Sequence, residues 1–493
     1  LKNVSRRLGE AEPEGFVAGP LAQAARMLLR RKFPLARWNV TVGRRGWGGI
    51  TLNSLRQRGY GTRSVPATLA DDPAAIIFTS GSTGPAKGVL YTHRMFDTQV
   101  SEIQSAYDIR PGSVDLSCFP LFALFNAAMG VTTVLPDMDF SRPAAADPRK
   151  LLAAAKDWQV TQAFASPAVW QKLSAHCEQT GERIESLRQI FSCGAPVPAD
   201  VLRATLACAA PNAKMHTPYG ATECLPVATI EAAEVLNETA ERTERGAGVC
   251  VGRKFDSIDW AVIRISDGPI KSIDETEEVG PGEIGELIVR GPQASPAYLT
   301  RVECNSESKV GYSASDSAFR IPQSAILPWH RMGDVGYLDE QGRFWYCGRK
   351  SQRVETAEGP IFTECVEAIV NSHPLVRRSA LVGIGKMGDQ LPIVCVELEH
   401  HIKSSEIIEV GKALNSWKHE VSQLSRIYAI ECYPSAFPVD VRHNSKIHRE
   451  LIASVLSYGI VSEQGTFAPD LVKRAKMMRE PGEDTPENFS FSY

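Results

Sequence analysis

At 493 residues the chain exceeds one ordinary core, so two or three domains are expected, and 43% hydrophobic with 23% charged residues is ordinary globular material. A net charge of -3 gives no footprint for nucleic acid. The eleven cysteines are odd in number, scattered and without a CxxC pair, which argues against a disulfide framework or a zinc site and fits a reducing, cytoplasmic setting.

The chain begins at Leu1 within a helical pattern, so a preceding segment is expected to be missing. Arg26, Arg30, Arg31, Lys32, Arg37, Arg44 and Arg45 form a local basic cluster, read as a solvated face, with an anionic membrane surface as the alternative contact. Residues 38–42 suit a strand, and 43–63, rich in Gly and Arg, a loop. The apolar run 74–78 reads as a buried strand leading into Thr79-Ser80-Gly81-Ser82-Thr83-Gly84-Pro85-Ala86-Lys87-Gly88. That loop offers glycines for close backbone approach, four hydroxyls and one ammonium, the makings of a polyphosphate cradle. It is not a Walker A loop, because Gly88 rather than a hydroxyl residue follows Lys87.

Residues 92–106 read as a helix capped by Thr92, and the aromatic stretch 116–125 as core or pocket wall. The apolar run 119–135 contains Asn126 and is too short for a membrane span. Helix and strand then alternate through 148–193, with strands at 162–165 and 190–193, the pattern of an α/β layer. Gly194, Ala195 and Pro196 stand at a strand end, where open α/β sheets bind ligands. In the cluster 217–223, Tyr219 can stack on a ring, Thr222 can donate to phosphate and Glu223 can hold magnesium. Residues 258–290 suit a small β subdomain, 300–327 a long loop, and 336–346 a hairpin turning at 339–342. A small α+β unit follows. Its GxGxxG at 383–388 leads into a strand rather than a helix, so it reads as a turn and not a dinucleotide site.

The clusters at 79–88, 219–223, 333–334, 348–349 and 446 resemble, in order and spacing, the adenylate-forming superfamily of acyl-CoA synthetases, luciferases and adenylation domains. The resemblance implies a large N-terminal α/β domain with a small β subdomain (1–347, its start missing) and a small mobile C-terminal α+β domain (348–457); the tail 458–493 has no counterpart in it and, rich in Glu, Pro and Ser, is read as disordered. It implies ATP and Mg2+ as cofactors, with Thr79, Ser80, Gly81, Ser82, Thr83, Gly84 and Lys87 around the phosphates. Gly194, Ala195, Pro196, Tyr219, Gly220 and Ala221 would surround adenine. Thr222 would meet the α-phosphate, Glu223 the metal, and Asp334 and Arg349 the ribose. Lys87, Thr222, Glu223 and Lys446 would carry the chemistry, Lys446 by offsetting charge between carboxylate and phosphate. Lys350 and Ser351 would form the hinge.

Within that superfamily the runs 38–52, 119–139, 217–228, 329–337 and 438–446 are similar to the β-lactone synthetases of bacterial long-chain olefin formation. This implies a small-molecule 2-alkyl-3-hydroxy fatty acid substrate, a pocket including Phe119, Phe122 and Phe125, and ring closure by the substrate's own hydroxyl. Peripheral membrane or multienzyme pathway contact stays open, as does oligomeric state. Ala123 stands where CoA ligases carry the histidine of PLFH, and 353–359 departs from their signature after the hinge. The alternatives are a fatty acyl-CoA or acyl-AMP ligase and a truncated, non-catalytic nucleotide-binding relative. For the base of ring closure, His216 and Glu223 are the candidates.

Overall fold

The computed structural model describes residues 8–44, 47–59, 67–79, 86–120, 123–312, 327–399, 402–403, 406–433, 435–439 and 447–457. The phosphate-loop residues Ser80, Gly81, Ser82, Thr83 and Gly84, the pocket residue Phe122, Lys446 and the tail 458–493 lie outside the described residues.

The fold is a large mixed α/β N-terminal region with several sheets and a smaller C-terminal α+β region. A five-stranded parallel sheet runs in the order Lys214–His216, Gln189–Ser192, Gln162–Ala165, Val114–Ser117, Thr132–Val134. Its strands are short and flanked by helices such as Pro148–Asp157 and Pro167–Thr180, each opened by a proline that needs no hydrogen-bond acceptor there. Leu151, Trp170, Leu173 and Ile190 fill the core between them, almost wholly shielded from water.

Beside it lies a seven-stranded sheet, ordered Tyr219–Ala221, Cys224–Thr229, Val249–Lys254, Phe344–Arg349, His330–Leu338, Gly285–Arg290, Asp259–Ile263, in which every pairing is antiparallel. The strands Pro73–Phe78 and Gly88–Thr92 form an antiparallel pair, and the helix His93–Ala106 follows with Thr92 accepting from the Met95 N–H at 3.3 Å, the cap expected from sequence. The run expected as a loop at 43–63 is corrected: Ile50–Thr51 adds to Trp38–Thr41 as a parallel strand and Leu52–Gly59 is helical. The loop expected at 300–327 is corrected in part, since Asn305–Ser308 is helical and Lys309 after it is buried.

The C-terminal region packs the helices Thr363–Asn371, Ile407–Glu420 and Arg449–Ser457 on the sheet Val376–Ile384, Leu391–Leu398, Ala429–Cys432. The GxGxxG run lies at the antiparallel turn between the first two strands, as expected. At the junction Gly348 holds φ at +135°, and a Cβ there would come within 2.3 Å of Thr363 Oγ1, so only glycine lets Arg349 and the helix Thr363–Asn371 approach so closely.

Asn126, the polar residue in the apolar run, ties the helix Ala123–Met129 to the parallel sheet. Its Nδ2 reaches Asp115 Oδ2 at 2.8 Å and Thr133 Oγ1 at 3.1 Å. Asn126→Leu leaves Asp115 buried with a donor missing, and a loss of about 1–3 kcal/mol in chemical denaturation is expected.

Candidate active site

A cavity of about 990 Å³ opens between the parallel and antiparallel sheets. Apart from the candidate base His216, the expected site residues that are described line it: Thr79, Lys87, Gly194, Ala195, Pro196, Tyr219, Gly220, Ala221, Thr222, Glu223, Asp334, Arg349, Lys350, Ser351, Phe119 and Phe125.

The two ends of the glycine-rich run are tied to each other. Lys87 N donates to Thr79 Oγ1 at 3.0 Å and Thr79 N to the Lys87 carbonyl at 3.0 Å. The next strand is then fastened to a distant segment, with Leu90 N on the Ala297 carbonyl, Leu299 N on the Gly88 carbonyl, and Gly88 N on Thr300 Oγ1 at 2.7 Å. That register brings Tyr298 to the loop. Its hydroxyl donates to Glu223 Oε1 at 2.6 Å, and Lys87 Nζ lies 3.4 Å from the Tyr298 hydroxyl oxygen and 4.5 Å from the Tyr298 ring centroid. Burial raises the Tyr298 phenol well above its ordinary range, and the Glu223 charge adds to this, so it stays a donor.

Glu223 follows Thr222 in the turn joining Tyr219–Ala221 to Cys224–Thr229. The Tyr91 hydroxyl donates to the Thr222 carbonyl at 2.6 Å and Ser295 N to the Glu223 carbonyl at 2.7 Å, so the turn is held from two sides. One carboxylate with an oxygen left over suits magnesium, which takes one or two protein carboxylates and completes its shell with substrate phosphates and water. Among the described residues no cluster of three or more His, Cys, Asp or Glu could hold a metal without such help.

Asp334 and Arg349 face each other in the antiparallel register. Their ion pair is 3.0 Å long, yet the Arg349 Nη1 proton is directed to the Met332 carbonyl, also at 3.0 Å. Tyr219 OH donates to Asp334 Oδ2, while Oδ1 has no hydrogen-bond donor among the described residues. Burial raises the Asp334 carboxyl and the Arg349 charge opposes the rise. A carboxylate oxygen lacking a donor beside a guanidinium is chemically suited to a ribose hydroxyl. Gly194, at φ +95° with open space where a Cβ would be, turns the chain out of Gln189–Ser192 and lines the cavity, as Tyr219 does.

The hinge candidate Lys350 is fastened to the N-terminal region. Its Nζ lies 3.0 Å from both oxygens of Glu286, which Arg331 also binds at 3.0 and 2.6 Å. Across the junction, Glu364 has its carboxyl pushed up to about 7 by burial, with Glu367 adding to the rise and Arg449 opposing it. The folded state therefore binds more protons than the unfolded one between the ordinary value of 4.5 and about 7, so stability falls as pH rises through that window. Melting temperatures of wild type should decline from pH 5 to 7 more steeply than those of Glu364→Gln.

Sequence reasoning missed Tyr298 and Tyr91, which carry no local signal, and His330, which stands on the strand of Asp334. His216, a candidate base, does not line the cavity: its ring packs 4.8 Å from Tyr107 and 6.0 Å from Phe191, and burial pushes its pKa down to about 4.

Thr79 and Lys87 at the ends of the glycine-rich run, a hairpin carboxylate and an opposed Asp–Arg pair line one cavity, the setting an adenylate-forming enzyme requires. The chain belongs to the AMP-binding enzyme family, whose pattern it matches over residues 24–299. It is 47% identical over 448 residues to an olefin beta-lactone synthetase of Xanthomonas campestris pv. campestris, covering 90% of this chain and 78% of that one. The olefin beta-lactone synthetase of Stenotrophomonas maltophilia is 45% identical with the same coverage. Among solved structures, ATP-bound MatB from Rhodopseudomonas palustris superposes with a TM-score of 0.66 at 20% identity, covering 92% of this chain and 81% of that one. Among the described residues no helix is long and apolar enough to cross a membrane.

Proposed function

We propose that the chain is an ATP-dependent β-lactone synthetase acting on 2-alkyl-3-hydroxy fatty acids. The observation that carries this reading is the 47% identity across 90% of the chain. The cavity supports it: beside the polar groups its wall includes the apolar Phe96, Ile103, Phe125, Met129 and Phe164, and its volume suits a ligand larger than a nucleotide alone.

In this reading Lys87 and the loop 79–88 hold the triphosphate, Asp334 and Arg349 the ribose, and Tyr219 with 194–196 the base. Glu223 would hold Mg2+, which when bound neutralises phosphate charge. The substrate carboxylate attacks the α-phosphorus and pyrophosphate leaves, with Thr222 and Lys446 beside the reacting anions. The 3-hydroxyl then attacks the acyl carbon and AMP departs. Tethering supplies an effective concentration of about 10⁵ M or more when the hydroxyl is well oriented, which removes the need for a second substrate. Residues 348–457 are taken as a unit turning about Lys350 and Ser351.

The test is incubation with ATP, Mg2+ and a 2-alkyl-3-hydroxy fatty acid, without CoA. Pyrophosphate, AMP and a β-lactone are expected in equal amounts. Product that forms only when CoA is added would instead identify an acyl-CoA ligase.

A further inference from the structure

Ring closure needs a proton acceptor for the 3-hydroxyl, and the question rests on the β-lactone reading above. Glu223 is engaged by Tyr298, and His216 is off the cavity wall. Asp115, Glu286 and Asp334 on that wall are each bound by donors or cations, and Glu307 is turned to solvent as an exposed residue. His330 is the one imidazole among the described residues that line the cavity.

Its placement is set from both sides of the sheet. His330 begins the strand His330–Leu338, pairs with Val289 on one side and bridges to Lys309 on the other. Its side chain is 2% exposed. Nδ1 lies 3.0 Å from the Ser308 carbonyl, an acceptor only, so Nδ1 carries the proton and Nε2 keeps its lone pair. Nε2 has no hydrogen-bond partner among the described residues.

We propose that His330 Nε2 accepts the proton of the substrate's 3-hydroxyl as that oxygen attacks the acyl carbon. The new bond joins the hydroxyl oxygen to the acyl carbon. The bond between the acyl carbon and the adenylate oxygen breaks, AMP takes its electron pair, and the proton ends on Nε2.

Burial first, then the Lys309, Lys87 and Arg349 charges, hold the free imidazole neutral, its pKa well below the ordinary value. A neutral base is what the step requires. Once adenylate anions sit against Lys87 and Arg349, their charge is offset and imidazolium is less disfavoured. The hydroxyl also becomes strongly acidic as its oxygen bonds to carbon, so a weak base suffices late in the step.

His330→Asn keeps an N–H for the Ser308 carbonyl and deletes Nε2. In single turnovers with ATP, Mg2+ and a synthetic 2-alkyl-3-hydroxy fatty acid, pyrophosphate release is expected to stay close to wild type while lactone formation falls by about 10²–10⁴-fold. Acyl-adenylate then accumulates and is trapped by hydroxylamine as the hydroxamate. The 3-deoxy analogue, which has no proton to lose, should be adenylated alike by both proteins. Lactone formation at the wild-type rate, or adenylation and closure slowed together in a folded variant, overturns the assignment. If His330→Asn fails to fold, wild type decides in heavy water: slower closure with unchanged adenylation supports a base, and no slowing overturns it. Wild type that adenylates the hydroxy acid yet releases no lactone overturns the functional reading and this assignment with it.

Discussion

Glu223→Gln is expected to slow adenylation by about 10²–10³-fold, the scale on which loss of one preorganised electrostatic group is felt. The amide is isosteric, and its oxygen still accepts from Tyr298 OH, so the turn between Tyr219–Ala221 and Cys224–Thr229 keeps its shape. What is lost is the negative charge that would hold the metal against the triphosphate. Pyrophosphate exchange should fall while the unfolding midpoint without nucleotide changes little, and raised Mg2+ should restore part of the rate. A variant that unfolds early would place Glu223 in the architecture and not in the chemistry.

The second large effect concerns stability. Glu286 is fully buried and binds both Arg331 and Lys350, whose partners otherwise are the carbonyls of Ser266, Gly268 and Glu307. Glu286→Leu strands the buried Arg331 guanidinium and leaves the partly exposed Lys350 without its carboxylate, and a loss of about 3–5 kcal/mol is expected in chemical denaturation. Combining Glu286→Leu with Arg331→Met and Lys350→Met removes the stranded charges and should recover much of that loss. Failure to recover would mean that the carbonyl contacts of Arg331, more than the ion pairs, hold the junction.

Elements with a local signal were readable in the chain. Gln162–Ala165 is short, apolar and flanked by helical periods, and the Asp339–Gly342 turn announces the hairpin that sets Asp334 opposite Arg349. Ile50–Thr51 was not readable, because a strand of two residues exists only through its neighbour Val40–Thr41. Leu52–Gly59, with Asn, Gln and two arginines, has too few apolar positions to mark a helix against its surroundings. The site divides in the same way. Glycine-rich and acidic clusters mark themselves, whereas Tyr298 matters only because a register 200 residues away places it at Glu223. For His330 the chain did hold a hint, since it stands four residues before Asp334 on the same strand.

The fastening of the strand Gly88–Thr92 to residues 297–300 bears on the order of assembly. The two paired segments are separated by some two hundred residues of chain, and such non-local pairings form late because their loop entropy must be met before they reward it. A growing chain therefore exposes the glycine-rich segment long before Tyr298 and Glu223 can join it. With 79–88 as the proposed phosphate cradle, nucleotide affinity is expected only once the antiparallel sheet is complete, which would make ATP binding a gauge of finished folding.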